Sequence, residues 1–273
     1  MEINNLNFFD INFWVGENNF QDKFSTGEEE IPNLLSNINK KYGISNTIIS
    51  HFLCLSYSPK VGNDLLSLIL NSLNKEEIFN DNVYGAMLLE HEVIYSNNSF
   101  ENFLITRFKQ GFRILRLFPK SHKYPYEKNL LKKYYKVCDY YHFPIMINLE
   151  EIDVTGDKFI DWNELSKIAE SFENMPIIID GGNAKALQYN SYFSLLLQNS
   201  QSIYLTTHNL YSFNQIEDLI SISSAKRLIF DSYYPFNEIF VSTQRIVNSG
   251  LSEIDKSDIA FNNINRIIKD IAI

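Results

Sequence analysis

Cysteine is nearly absent from this chain: Cys54 and Cys138 are the only two in 273 residues. Two cysteines cannot build a disulfide framework, and neither belongs to a Cys-x-x-Cys element, so two reduced core thiols are expected. No apolar run approaches the roughly 20 residues of a membrane-spanning helix. The start MEINNLNFFDINF also lacks the basic, then apolar, then small-residue order of a secretory signal. The expectation is a cytoplasmic protein with no membrane contact. Glycine motifs are missing too. No Gly-x-Gly-x-x-Gly follows the first strand-like run, Gly181-Gly182 is too short to replace it, and no Gly-x-Ser-x-Gly turn presents Ser56, Ser58 or Ser232 as a nucleophile. Positive charge is short: 24 Lys and Arg against 33 Asp and Glu leave a net −9. The basic residues are scattered among acidic ones, which argues against an electrostatic nucleic-acid surface.

What the chain does have is the composition of a compact globular protein, 45% hydrophobic and 21% charged. Its 21 Phe and 16 Tyr imply a heavily aromatic interior and aromatic pocket walls. Short β-branched runs alternate with longer amphipathic stretches from end to end, the rhythm of βα units and a parallel sheet. Eight strands are predicted near 7–13, 47–55, 83–90, 112–118, 144–149, 176–180, 202–206 and 227–232. Residues 124–141, 161–173 and 184–198 carry apolar side chains at three- and four-residue intervals and are read as crossover helices. Eight such units in a chain near the usual length of about 250 residues predict a (β/α)8 TIM barrel, one domain over 1–273. A doubly wound open sheet is the runner-up, and it lacks its glycine fingerprint. No linker or internal repeat divides the chain.

A barrel gathers its reactive residues at the C-terminal ends of the strands. Strand one offers Asp10, Asn12 and Trp14; strand three, Glu90; strand four, Arg116. Strand five ends in Asn148, Glu150 and Glu151, strand six in Asp180, strand seven in His208, and strand eight in Asp231, Ser232 and Tyr233. Arg116 offers a planar fork to a carboxylate or phosphate, or an internal ion pair with Glu90 or Glu150. His208 titrates near neutrality and suits a general base, although no orienting partner is visible in the sequence. Strand alternation points Asp231 the same way as Tyr233, one layer deeper, either as a reactive carboxylate or within a satisfied polar layer beside Asn12 and Asn148. His51 is expected to be packed, His122 and His142 structural or solvated, and His91 within reach of the pocket.

Several phrases resemble the amidohydrolase-related family, which includes decarboxylases and lactonases of small carboxylic acids. FFDINFWVG over 8–16 is similar to a first strand that usually reads Asp-x-His-x-His-x-Gly, with Asn12 and Trp14 at the histidine positions. GFRILRLFP over 111–119 looks like the family's strand four. HFPIMIN over 142–148 resembles a strand ending in a metal-binding His, here Asn148. PIIIDGGN over 176–183 resembles a strand ending in His-x-Gly, with Asp180 at the His position. RLIFDSYYP over 227–235 looks like Arg-x-x-Phe-Gly-Ser-Asp-x-Pro, placing Asp231 and Tyr233 at the Gly and Asp positions. FNNINRII over 261–268 resembles the closing helix.

The resemblance implies an amidohydrolase-like barrel altered at each metal-site corner. Zinc wants imidazole, thiolate or carboxylate, so no metal and no other cofactor is expected. A weak magnesium or calcium site over Asp10, Asn12, Asn148, Asp180 and Asp231 is the lesser alternative. The expected function is a non-catalytic or strongly divergent member binding a small anionic molecule or a protein partner; self-association into a homo-oligomer is left open. The alternative is a metal-independent, lactonase-like hydrolase or lyase acting on a small carboxylate. Asp180, His208 and Asp231 are then the catalytic candidates, and Asn12, Trp14, Glu90, Arg116, Asn148 and Tyr233 the substrate-binding ones.

Overall fold

A computed structural model of the chain describes residues 6–18, 25–76, 79, 82–95, 99–152, 161–181 and 191–273. Eight strands form one sheet in chain order: β1 (Phe8–Val15), β2 (Ile44–His51), β3 (Val83–Leu88), β4 (Phe112–Leu117), β5 (Ile145–Asn148), β6 (Ile177–Asp180), β7 (Ile203–Thr206) and β8 (Leu228–Ile229). Every described pairing between these strands is parallel. This sequential order is the topology of a (β/α)8 fold and replaces the open doubly wound alternative, whose strand order reverses part-way. IMIN in β5 and IIID in β6 read as nearly unbroken apolar runs because parallel strands are covered on both faces. No helix among the described residues is long and apolar enough to cross a membrane.

Contacts group the chain into two units, Met1–Ile114 with Phe230–Asn248, and Leu115–Ile229 with Ser249–Ile273. In the first, β1 pairs with β2, and Phe13 forms a parallel bridge to Tyr234. Trp14 also donates its backbone N–H to the Tyr234 carbonyl at 2.9 Å. The β1 strand is therefore hydrogen-bonded on both edges, and all eight of its residues are buried. In the second unit the register runs continuously from Leu115 to Ile145, Ile177 and Ile203.

Three expected elements are shorter than their sequence patterns. The 124–141 pattern becomes a helix only at Lys132–Tyr140. Tyr124 precedes Pro125, which disfavours helical backbone there, and its hydroxyl instead accepts the Phe118 N–H at 2.7 Å. Strand eight was expected over 227–232, but its ladder ends at Ile229. The Ser232 N–H is taken by the Asp10 side chain. Strand two stops at His51 rather than residue 55, because the His51 Nδ1 accepts the Leu53 N–H at 3.2 Å and a short helix, Leu53–Ser56, begins. Of the predicted 184–198 helix, Ser191–Asn199 is helical and 184–190 lies outside the described residues.

Candidate functional site

In the first unit the polar centre starts with an irregularity of β1. Asp10 pairs with Thr47 and Phe13 with Ile49, so three steps on β1 face two on β2, a bulge of the kind that re-aims side chains. The Asn12 N–H within this bulge goes to Asp10 Oδ1 at 3.1 Å. The same oxygen accepts the Ser232 N–H at 2.9 Å. The Asn12 amide Nδ2 donates to Asp231 Oδ2 at 3.0 Å, while its Oδ1 accepts the Trp14 indole N–H at 3.1 Å. Asp10, Asn12, Asp231 and Ser232 are all fully buried, and Trp14 nearly so. Burial raises the Asp10 pKa to about 6, hydrogen bonds from Ser232 and Asn12 oppose the shift, and the nearby Asp231 charge adds to it.

An aromatic run continues outward from this centre. Trp14 stacks on Phe52 at 5.5 Å, Phe52 meets Phe236 edge-on at 5.8 Å, and Phe236 lies 5.0 Å from Tyr233. Tyr233 is half-buried and adopts φ 56°, a left-handed backbone rarely taken by a bulky residue. Gly16 ends β1 at φ 86°, and a Cβ there would lie 2.3 Å from the His51 ring, so this position excludes any side chain. His51 is buried, and desolvation lowers its pKa to about 4, which keeps the ring neutral.

Glu90 is held inside the same unit. Arg107 donates to it at 2.5 Å and to Asp64 at 2.7 Å, and Asn63 donates to the same Glu90 oxygen at 3.0 Å. Its placement is that of an ion-paired strut between the end of β3 and the helices Pro59–Leu73 and Phe100–Lys109.

The second unit carries a different arrangement. Arg116 stands in register with Met146 and Ile178, and Asn148 with Asp180. Alternation therefore puts Arg116 and Asp180 on one face, with Asp180 one layer nearer the strand ends. The long arginine side chain spans that offset, and Nη2 meets Asp180 Oδ2 at 2.5 Å with both groups fully buried. The internal-pair expectation named Glu90 or Glu150; the partner described here is Asp180. The other oxygen, Asp180 Oδ1, lies 3.7 Å from His208 Nδ1, and Thr206 Oγ1 lies 3.4 Å from the same nitrogen. Asp180 and His208 thus offer a carboxylate oxygen and an imidazole nitrogen within 4.8 Å of one another. Asn148 is half-buried, and its side-chain oxygen accepts the Glu150 N–H at 2.8 Å. Glu151 accepts two hydrogen bonds from Ser121 and ties down the loop after β4, while Glu150 is exposed.

The sequence candidates therefore fall into two sets: Asn12, Trp14 and Asp231 around one carboxyl, Asp10, and Arg116 and His208 around another, Asp180. Sequence reading named Asp10 at strand one but did not select it, and it missed Thr206 and Phe52. Asp10 stands two residues before Asn12 and was visible by alternation; the other two had no signal beyond lying at strand ends.

The described strand order, eight strands in sequence alternating with helices, is that of a (β/α)8 TIM-barrel fold. No protein-family model matches the chain, and no curated protein matches it in sequence. Solved structures do match in fold. 2,6-Dihydroxybenzoate decarboxylase from Rhizobium is 13% identical, with 97% of this chain and 99% of that one covered at a TM-score of 0.68. Dihydroxybenzoic acid decarboxylase from Polaromonas, solved with manganese and 2-nitroresorcinol bound, is 13% identical over 97% of each chain at 0.63. 4-Oxalomesaconate hydratase from Rhodopseudomonas palustris is 18% identical over 88% of this chain and 81% of that one at 0.64. The likeness to these decarboxylases and this hydratase is one of fold.

Proposed function

We propose that this protein is an acid–base enzyme of the hydrolase or lyase class acting on a small carboxylic acid or its lactone, with His208 as the general base. The observation that carries this reading is the Arg116–Asp180–His208 chain. The Asp180 carboxylate 3.7 Å from Nδ1 favours the protonated form of the His208 ring electrostatically, as a general base requires. Arg116 in turn holds that carboxylate ionised and in place. The chain would leave His208 Nε2 as the proton-accepting atom. The decarboxylases and hydratase that share the fold support a small carboxylic acid as the substrate class.

A tightly held divalent metal of the kind seen in the Polaromonas structure is not part of this reading. Asp180 and His208 are suitable ligand types, but the donor set at β1 does not fit. Asn12 spends its oxygen on Trp14 and its amide on Asp231, and the Trp14 indole stands at the other imidazole position. Asp180 is already neutralised by Arg116. The non-catalytic reading keeps one observation in its favour: Trp14 is buried and stacked on Phe52.

The test is a turnover screen of small lactones and carboxylic acids with the purified protein, beside metal analysis of protein prepared without added ions. His208→Gln and Asp180→Asn are expected to lower kcat by about 100- to 10,000-fold, the usual worth of general base catalysis. Turnover that survives both changes, or a stoichiometric transition metal, overturns the proposal. Absence of turnover across the screen, with saturable binding of the same acids, returns the protein to the binding role.

A further inference from the structure

The crossover helices before and after β6, Trp162–Ser171 and Ser191–Asn199, leave a groove between them that includes none of the strand-end candidates. Its volume is about 430 Å³, within the range of small-molecule pockets. Both helices start on the side of the sheet where the strands end and run back, so the groove has two distinct ends. Trp162 and Tyr192 stand at the starting end, with Leu195 and Leu196 about a turn further on. Tyr192 and Leu195 are 63% and 55% exposed, so large apolar side chains face solvent here. At the other end Glu170 and Glu173 stand with the turn 200–202 that leads into β7. At about 1.5 Å per residue, Trp162 and Glu170 lie about 12 Å apart along the helix axis. Glu170 accepts the Ser166 hydroxyl at 2.7 Å, but neither glutamate forms an ion pair among the described residues, and no Lys, Arg or His lines the groove. Nearby basic groups are engaged elsewhere: Lys167 pairs with Glu164, and Lys128 donates to Ser171. The C-termini of both helices, which carry partial negative charge, lie at the glutamate end with no basic residue in the last turn.

We propose that this groove is a binding site for a small elongated organic cation, an ammonium or guanidinium group joined by a short apolar chain to an aromatic or aliphatic head. The head lies against Trp162, Tyr192 and Leu195, where ring stacking and apolar burial hold it. The cation meets Glu170 and Glu173, which share a helix face at i, i+3 spacing. Two carboxylates and two helix ends without a counter-charge favour a positive ligand and repel the small carboxylic acids proposed as substrates. The occupant is a free small molecule rather than a protein face. The groove has the volume of one such molecule, and two exposed apolar side chains supply far less than the about 800 Å² that each partner buries in a stable interface. The site lies in the helix layer and is independent of Arg116, Asp180 and His208, so it stands or falls separately from the reaction proposed above.

Isothermal titration of the full chain with phenylbutylamine tests this against two controls of like shape, phenylbutanol and phenylbutyrate. Saturable one-site binding is expected for the amine, weaker binding for the alcohol and none for the acid. Added salt should weaken the amine and leave the alcohol unchanged. Glu170→Gln combined with Glu173→Gln should lower the affinity for the amine about three- to tenfold, to the level of the alcohol. Tyr192→Ala should weaken amine and alcohol alike. All three positions are exposed, so these variants are expected to fold, which circular dichroism checks. No binding of the amine, equal binding of amine and alcohol in the wild type, or a double Gln variant that binds the amine as the wild type does, overturns the proposal. A dimer in sedimentation that Tyr192→Ala dissolves, with no amine bound, assigns the groove to a second copy of the chain and overturns it as well.

Discussion

The two carboxyl groups at the centre of the two units, Asp10 and Asp180, are equally buried and oppositely treated. Asp180 has an arginine at 2.5 Å and an imidazole near its second oxygen. Asp10 has two backbone N–H groups on one oxygen, none on the other, and a second carboxylate nearby. The low-dielectric interior amplifies both situations: it strengthens a good pair and penalises a missing one. One environment favours the ionised carboxyl and the other the protonated one.

The strongest way to break this comparison is to make the second unit resemble the first. Arg116→Met should destabilise by about 3–5 kcal/mol in urea unfolding, because Asp180 is left charged and buried without its counter-ion. Adding Asp180→Leu should recover most of that loss, since the cost lies in the uncompensated charge rather than in the absent pair. Equal losses in the single and double variants would show that the pair supplies net stability.

The first unit makes the opposite demand on pH. His51 falls from 6.5 to about 4, so its stabilising contribution is complete above pH 6.5 and is lost as pH falls through that window, up to about 3 kcal/mol. His51→Gln, which can still accept the Leu53 N–H, should flatten the acid limb of stability between pH 6.5 and 4. Asp10 works against it. Its pKa rises from 3.8 to about 6, so its contribution is complete below pH 3.8 and is lost as pH rises through 6, about 2–3 kcal/mol. Asp10→Asn should therefore gain on the wild type by that amount between pH 3.8 and 7. A stability curve that does not separate from the wild type over that window would mean Asp10 has a buried counter-charge.

The smallest effect sharpens the comparison at Asn12. Trp14→Phe keeps the ring on Phe52 but removes the indole N–H, so the Asn12 oxygen loses its donor at a cost of about 1–2 kcal/mol. Thermal unfolding should show it as a modest drop in Tm.

Much of the fold was legible because a parallel sheet writes itself into the chain. β5, β6 and β7 were located to within a residue or two by apolar β-branched runs between amphipathic helices. Elements whose ends are set by a side chain were less legible. Strand two ends where the His51 ring caps the next turn, and strand eight ends where Asp10 takes the Ser232 N–H. Both events depend on residues that periodicity does not register. The candidate residues were likewise readable as a set of strand-end positions, but their pairings were not. Arg116 reads as open to a ligand or to Glu90 or Glu150, yet it meets Asp180 while Arg107 and Asn63 hold Glu90.

The sequence by itself determined the eight βα units and which residue types stand at the strand ends. It also determined that Asn12 and Trp14 stand at alternate positions of the first strand. Those properties are local: alternation, helical period and residue identity need no third dimension. Only the tertiary structure decided that Asp180 is paired and Asp10 is not, because a charge separated from its partner by 64 residues meets it through register and side-chain reach. Whether a buried carboxyl keeps or gives up its proton is set by those distant neighbours.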